Sequence, residues 1–268
     1  NVQAVTNRVS FADSGAANDG ADRLTLIGRA DADEVLVRKG FVALLNKDGV
    51  GALTSKFERV DYDASINGRL RIETLGGNDS ISLDDTGTIV TLDGGAGDDK
   101  FQVGQVFGTA RVAPNVATGD EIETNLTTMG YLSVGSSNPL LVYGGTGNDE
   151  FTIYSSKAVS KLFGEAGDDV FVVRAFVLKA DPSAVAGGGG TEVLGGAGND
   201  KVLYNINAPI DIDGGEGTDT LVVLGTEVAD TFLITESGIY GAGQNISFAG
   251  LEAAEIDGLE GDDTFYVT

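Results

Sequence analysis

The chain has 268 residues, with 40 glycines against four prolines, 41% apolar residues, and neither cysteine nor histidine. Forty-one acidic side chains face 17 basic ones, a formal charge of −24; such a surface repels nucleic acid and anionic lipid and takes cations as partners. The missing thiols and imidazoles exclude cysteine nucleophiles, histidine acid-base chemistry and soft metal sites, so any metal is held by oxygen, and no apolar run approaches the ~20 residues needed to insert in a membrane as a helix.

The opening NVQAVTNRVS lacks the charged-then-apolar pattern of a secretion signal, and the chain is expected to be an interior segment of a longer polypeptide. Short turns close at Asp22 and Asp33 without the glycines of the later copies, and they read as structural turns. GGNDSI closes at Asp79, and Asp84-Asp85 reads as an ordinary Asp-rich turn. Fuller copies follow: GGAGDDKF (Gly94 to Phe101), GGTGNDEF (Gly144 to Phe151), GEAGDDVF (Gly164 to Phe171), GGAGNDKV (Gly195 to Val202), GGEGTDTL (Gly214 to Leu221) and GLEGDDTF (Gly258 to Phe265). GTEVADTF, closing at Asp230, keeps the spacing but is read as another structural turn. The run Gly187 to Gly190 reads as a loop, because no Lys-Ser/Thr follows to make it a phosphate cradle.

The shared template is G-G-x-G-x-D-x-apolar. The fourth residue after each aspartate tests it independently: Leu26, Val37, Leu83, Val103, Ile153, Val173, Tyr204, Val223, Ile234 and Val267 are all apolar. Chance would give this about one time in ten thousand at this composition. Each turn therefore feeds a strand whose second and fourth residues past the aspartate point inward.

Asp79 to Asp99 spans 20 residues, Asp149 to Asp169 spans 20, and Asp200 to Asp219 spans 19. A coil of that length reads strand, tight turn, strand, glycine-rich turn. Stacking such coils gives an all-β, parallel β-solenoid with its glycine- and aspartate-rich turns on one edge. The longer gaps, Asp33 to Asp79 and Asp99 to Asp149, hold either motif-free coils or excursions.

Glycines at the first, second and fourth positions permit positive φ and close backbone approach, and the aspartate adds a carboxylate. An all-oxygen cage of this kind suits Ca2+, and since one turn cannot supply six ligands, an ion is expected between neighbouring turns. Three pairs are the main candidates: Asp79/Asp99, Asp149/Asp169 and Asp200/Asp219. Paired carboxylates such as Asp98-Asp99 recur with the turn, which argues for scaffold over catalysis.

The template resembles the nonapeptide repeat of the repeats-in-toxin (hemolysin-type calcium-binding) family. That resemblance implies a parallel β-roll holding calcium through turn carbonyls and aspartates. It places the ligand carboxylate at Asp99, Asp149, Asp169, Asp200, Asp219 and Asp263. The motif's first glycine falls at Gly94, Gly144, Gly164, Gly195, Gly214 and Gly258, and its fourth-position glycine at Gly97, Gly147, Gly167, Gly198, Gly217 and Gly261. The family's repeats succeed each other at nine residues, whereas these lie about 20 apart, so calcium is expected on one edge only.

A longer period overlies the first. Asp22 and Asp33 are matched 197 residues later by Asp219 and Asp230, and Asp79 is matched 184 residues later by Asp263. Phe57 to Val60, running into GGNDSI, parallels Phe248 to Glu252, running into GLEGDDTF. The chain reads as one continuous segment holding a unit of about 190 residues, from about 20 to 215, and the start of the next, about 216–268.

The expected function is a non-catalytic, calcium-stiffened unit of a giant bacterial surface protein, secreted outside the cell: a spacer, adhesin stalk or filament whose partners are neighbouring copies of itself. Two alternatives are a secretion or folding module of a toxin or protease, and a polysaccharide-acting β-helix enzyme. The enzyme would need a unique groove of carboxylates and basic residues, and no such cluster stands out in the sequence.

Overall fold

A computed structural model of the chain describes residues 4–14, 20–48, 50–174, 190–205 and 209–268; Gly187 to Gly189 of the expected loop lie outside these. Among the described residues there are 25 strands and no helix, in two 11-stranded sheets with mostly parallel pairing and one small antiparallel sheet. The central strands of the first sheet are Ser80–Leu83, Lys100–Val103, Glu150–Ile153, Val170–Arg174, Lys201–Asn205 and Thr220–Leu224. Those of the second are Arg69–Glu73, Val90–Ala96, Leu140–Thr146, Ser160–Ala166, Thr191–Ala197 and Ile210–Glu216. The chain alternates between the two, so each strand pairs in register with its counterpart one coil away.

One apolar cluster fills the space between the sheets. The second and fourth residues past the aspartates supply one side of it: Ile81 and Leu83, Phe101 and Val103, Phe151 and Ile153, Phe171 and Val173, Val202 and Tyr204, Leu221 and Val223 are all buried. Identical positions stack on one another. Phe151 lies against Phe101 and Phe171, with ring centroids 5.0 and 4.6 Å apart. The inward rule fails at Phe265 and Val267, which are 45% and 77% exposed on the terminal strand Thr264–Val267.

Both long gaps are excursions. Between Asp33 and Asp79, the strands Glu34–Arg38, Phe41–Lys47 and Leu53–Tyr62 run antiparallel as a meander, and Leu53–Tyr62 then pairs in parallel with Ala4–Phe11. Between Asp99 and Asp149, Val106–Phe107, Thr124–Thr127 and Gly130–Ser133 form the three-stranded sheet.

The two ends of the molecule share one strand order. In the first sheet the order runs Ala4–Phe11, Leu53–Tyr62, Phe41–Lys47, Glu34–Arg38, Ser80–Leu83. In the second it runs Ile210–Glu216, Gln244–Ala249, Gly238–Gly241, Thr231–Thr235, Thr264–Val267. Arg23–Ile27 beside Arg69–Glu73 corresponds to Thr220–Leu224 beside Ala253–Asp257. The sheets are exchanged: what lies in the first sheet at one end lies in the second at the other. The meander register also corrects the sequence alignment. Tyr62 N–H donates to the Gly40 carbonyl as Phe248 N–H donates to that of Ser237, so Phe248 corresponds to Tyr62 and not to Phe57. The hairpin in the C-terminal copy is shorter, which sequence matching of Phe with Phe conceals.

Truncating the stacked core ring, Phe151→Ala, should destabilise the fold by ~3–5 kcal/mol in denaturant unfolding. The outward Phe163→Ala, on a partly exposed ring stacked on Tyr143, should cost less than half of that. Equal losses at the two sites would contradict this placement of the core.

Candidate metal centre

The glycine-rich turns carry the chain from the second sheet to the first and so stack along one edge. There the aspartates form a ladder. Asp33 N–H donates to Asp79 Oδ1 at 2.6 Å. The same bond recurs from Asp79 to Asp99, Asp99 to Asp149 and Asp149 to Asp169, each 2.7 Å. It continues from Asp169 to Asp200 at 2.8 Å and from Asp200 to Asp219 at 2.7 Å. Glu252 Oε2 takes the last place, accepting from Asp219 N–H at 2.7 Å.

The other carboxylate oxygen is left over. Oδ2 of Asp79, Asp99, Asp149, Asp169, Asp200 and Asp219 is buried and has no hydrogen-bond partner, a costly state for a charged group. Its cause lies four residues earlier. In the turns of Asp33 and Asp230, the N–H of Arg29 or Thr226 donates to Oδ2 at 2.7 Å. In the glycine-rich turns the equivalent residue, Leu75, Gly95, Gly145, Glu165, Gly196 or Gly215, is left-handed, and its N–H no longer serves the carboxylate. For Leu75 and Glu165 this conformation costs roughly 1–2 kcal/mol each. Strain of this kind persists where the surrounding structure enforces it.

The first glycine has a different reason from the one its sequence suggests. Gly94, Gly144, Gly164, Gly195, Gly214 and Gly258 are not among the positive-φ residues; a methyl group on any of them would overlap the carboxylate of its own turn. The space at Gly94 is also approached by the Gly144 carbonyl oxygen, 2.8 Å from where that methyl would lie, and the space at Gly144 by the Gly164 carbonyl at 2.9 Å. A carboxylate oxygen and a main-chain carbonyl of the next coil thus converge. The fourth glycines, Gly97, Gly147, Gly167, Gly198, Gly217 and Gly261, do adopt positive φ, and the first five pack so closely against the preceding coil that a side chain would strike its carbonyl.

Asp263 departs from the expectation of one edge. Its turn joins the first sheet to the second, so Asp263, with Gly258 and Gly261, lies on the opposite edge, where its Oδ1 accepts from Asp230 N–H at 2.9 Å. This follows from the sheet exchange, since the odd placement of the second copy moves its turns across the molecule. Asp33 and Asp230 also differ from their sequence reading as turns without glycine. Gly28 and Gly225 hold the first-glycine place, five residues before each, although neither carboxylate is left unpaired. Asp84 is buried and satisfied by Arg38 Nε at 2.8 Å and Ser133 Oγ at 3.0 Å, which leaves it no role toward a cation.

A second ladder runs beside the first, one residue earlier. Asp98 N–H donates to Asn78 Oδ1, Asn148 to Asp98, Asp168 to Asn148, Asn199 to Asp168 and Thr218 to Asn199, at 2.7 to 3.1 Å. Its members alternate neutral and charged: Asn78, Asp98, Asn148, Asp168, Asn199. Like charges on this row are never adjacent, which limits repulsion beside a row that is already anionic.

Burial first, and neighbouring carboxylates next, push Asp99 and Asp169 up to about 7 and Asp149 and Asp200 up to about 6. Among the described residues no three acidic side chains gather into a metal cluster. The donor set is instead one orphaned carboxylate oxygen with a main-chain carbonyl beside it, brought together where only glycine fits. Hard oxygens of low net charge fit calcium, and a weak calcium site better than a tight one. No family model matches the chain, and neither does any curated protein or solved structure, so the repeats-in-toxin resemblance rests on the turn motif itself.

Without metal, the folded pKa values of these aspartates lie above the ~3.9 of an unfolded aspartate, so the fold holds protons more tightly than the unfolded chain. That stability is complete below about pH 4 and is lost as pH rises through 6 to 7. The metal-free chain should melt several degrees lower at about pH 8 than at about pH 5. Asp169→Asn keeps the Oδ1 acceptor while removing one titrating group, and should raise the metal-free melting temperature at pH 8. A flat profile, or a less stable variant, would contradict the unpaired carboxylate row.

Proposed function

We propose that the chain is a β-solenoid segment whose edge binds Ca2+, and that it serves as a non-catalytic, calcium-stiffened structural unit outside the cell. The observation that carries this reading is the row of six buried Oδ2 atoms without partners, five of them packed against a glycine where any side chain would collide with the carboxylate. Asp99, Asp149, Asp169, Asp200 and Asp219 would supply the carboxylates, with carbonyls of the stacked first glycines beside them; Asp79, with Thr74 in the first-glycine place, would begin the row. Bound calcium supplies the counter-charge that the row lacks.

Sites of this kind in extracellular modules have dissociation constants of roughly 0.1–1 mM, saturated outside cells and empty within them. The chain would stay soft during export and stiffen on arrival. Recurrence of the seven-strand pattern supports the reading of a tandem array, with neighbouring copies as partners, each placed with its sheets exchanged relative to the last. In-register parallel pairing can be continued by further coils at either end, which suits a spacer, stalk or filament of the surface protein that the repeats-in-toxin resemblance suggests.

Calcium at about ten times its dissociation constant should stabilise the fold by ~1.4 kcal/mol per independent site, and small-angle scattering should show a rod. Chelator should lower the melting temperature and shorten the rod's persistence. A melting curve and scattering profile indifferent to calcium, with no calcium retained on equilibrium dialysis, would overturn the proposal.

A further inference from the structure

A groove that the repeat does not explain lies on the outward face of the N-terminal meander. Val35, Val37 and Val42 of this wall face the core, so the alternate residues Leu36, Arg38, Phe41 and Ala43 face away from it. Residues 114–120 cross over them, enclosing a cleft of about 650 Å³, within the size range of small-ligand sites. Arg8, Arg38 and Arg59 line it, on a chain whose formal charge is −24.

The arginines are held from behind. Asp84 binds Arg38 through Nε at 2.8 Å, with both side chains buried, and Asp61 binds Arg59 through Nε at 2.8 Å while also engaging Arg8 Nε. The Arg59 guanidinium lies 3.8 Å over the Phe41 ring, and its Nη1 reaches Asp120 of the crossing loop at 2.8 Å. For Arg8 and Arg38 no acceptor among the described residues engages the terminal nitrogens. Arg111 sits over Phe107 with its Nε buried and without a partner. Four guanidinium groups thus meet three carboxylates, and their forks are oriented before any ligand arrives.

The C-terminal copy separates this chemistry from the scaffold. By strand pairing, Arg38, Phe41, Arg59 and Asp61 correspond to Thr235, Gly238, Asn245 and Ser247. The meander recurs, and Arg38, Arg59 and Asp61 are all replaced by uncharged residues. A purely architectural role for the arginines would be needed in both copies.

We propose that this groove binds a carboxylate-bearing saccharide unit, a uronate of an acidic polysaccharide, through the forks of Arg8 and Arg38. Oriented guanidinium groups match a planar carboxylate in two-point fashion. An extended acidic peptide is disfavoured by the wall itself. Peptide strands dock by main-chain bonds to a sheet edge, whereas here the strands of the floor are already paired with one another. Recognition falls to side chains: the arginines, Asn115 and Thr118 of the loop, and the partly exposed Phe57 for the apolar face of a sugar ring.

The test is calorimetric titration of the full chain, in saturating calcium and low salt, with digalacturonate, with a neutral disaccharide of the same size, and with a glutamate-rich peptide. Digalacturonate should bind, more weakly as salt rises, and the other two should not. Arg8→Gln, at a side chain 58% exposed, should weaken it by ~10-fold with an unchanged melting temperature; Arg38→Lys, which keeps the charge facing Asp84 but removes the fork, is the companion variant and should weaken it likewise. Absence of binding at ~10 mM digalacturonate, equal binding of the neutral sugar or the peptide, or undiminished binding in both variants would overturn the assignment.

Discussion

The structure turns on one bond repeated along an edge: the backbone N–H of each turn aspartate donating to Oδ1 of the aspartate one coil on. It fixes the register of successive coils and forces every carboxylate out of solvent, because an acceptor of a buried N–H must itself be buried. One oxygen satisfied in this way leaves the other to be accounted for. Where the residue four positions earlier is not at positive φ, its N–H completes the carboxylate, as at Asp33 and Asp230. Where that residue is left-handed, nothing does. The second glycine of the motif is therefore the element that converts a closed turn into an open one, and Leu75 and Glu165 hold the same conformation without glycine's freedom.

The stacked core and the charged edge pull in opposite directions. In-register stacking places Phe on Phe and Val on Ile, which is favourable for apolar groups, but it also places Asp on Asp, which is not. Two devices on the edge answer this. Neutral Asn alternates with Asp on the outer row, and Asp99, Asp149, Asp169 and Asp200 of the inner row are left with raised affinity for protons, the same electrostatic condition that favours a cation.

Much of the fold was legible because apolar residues two and four past each aspartate obey a period that only strands satisfy, and Ile81, Phe101, Phe151 and Phe171 follow it into the core. The candidate site was legible in composition more than in mechanism. The aspartates were identifiable from spacing, yet the role of Gly94 and its equivalents, which is to vacate space and not to turn the chain, depends on where a carboxylate points and has no local signal. Asp263 was placed on the wrong edge because counting residues does not count crossings between sheets. The arginine groove was invisible for a similar reason: Arg8, Arg38 and Arg59 are 30 and 21 residues apart, and they meet only because a meander and a distant loop fold over the same wall.

Carboxyl-carbon NMR of isotopically labelled aspartates reports each carboxylate of the row separately. Asp99, Asp149, Asp169 and Asp200 should titrate near 6 to 7 in metal-free protein, and calcium should shift these signals together and drive their titration below about 4. Signals that titrate near the ordinary value of ~3.9 and do not move with calcium would contradict the unpaired, calcium-binding row.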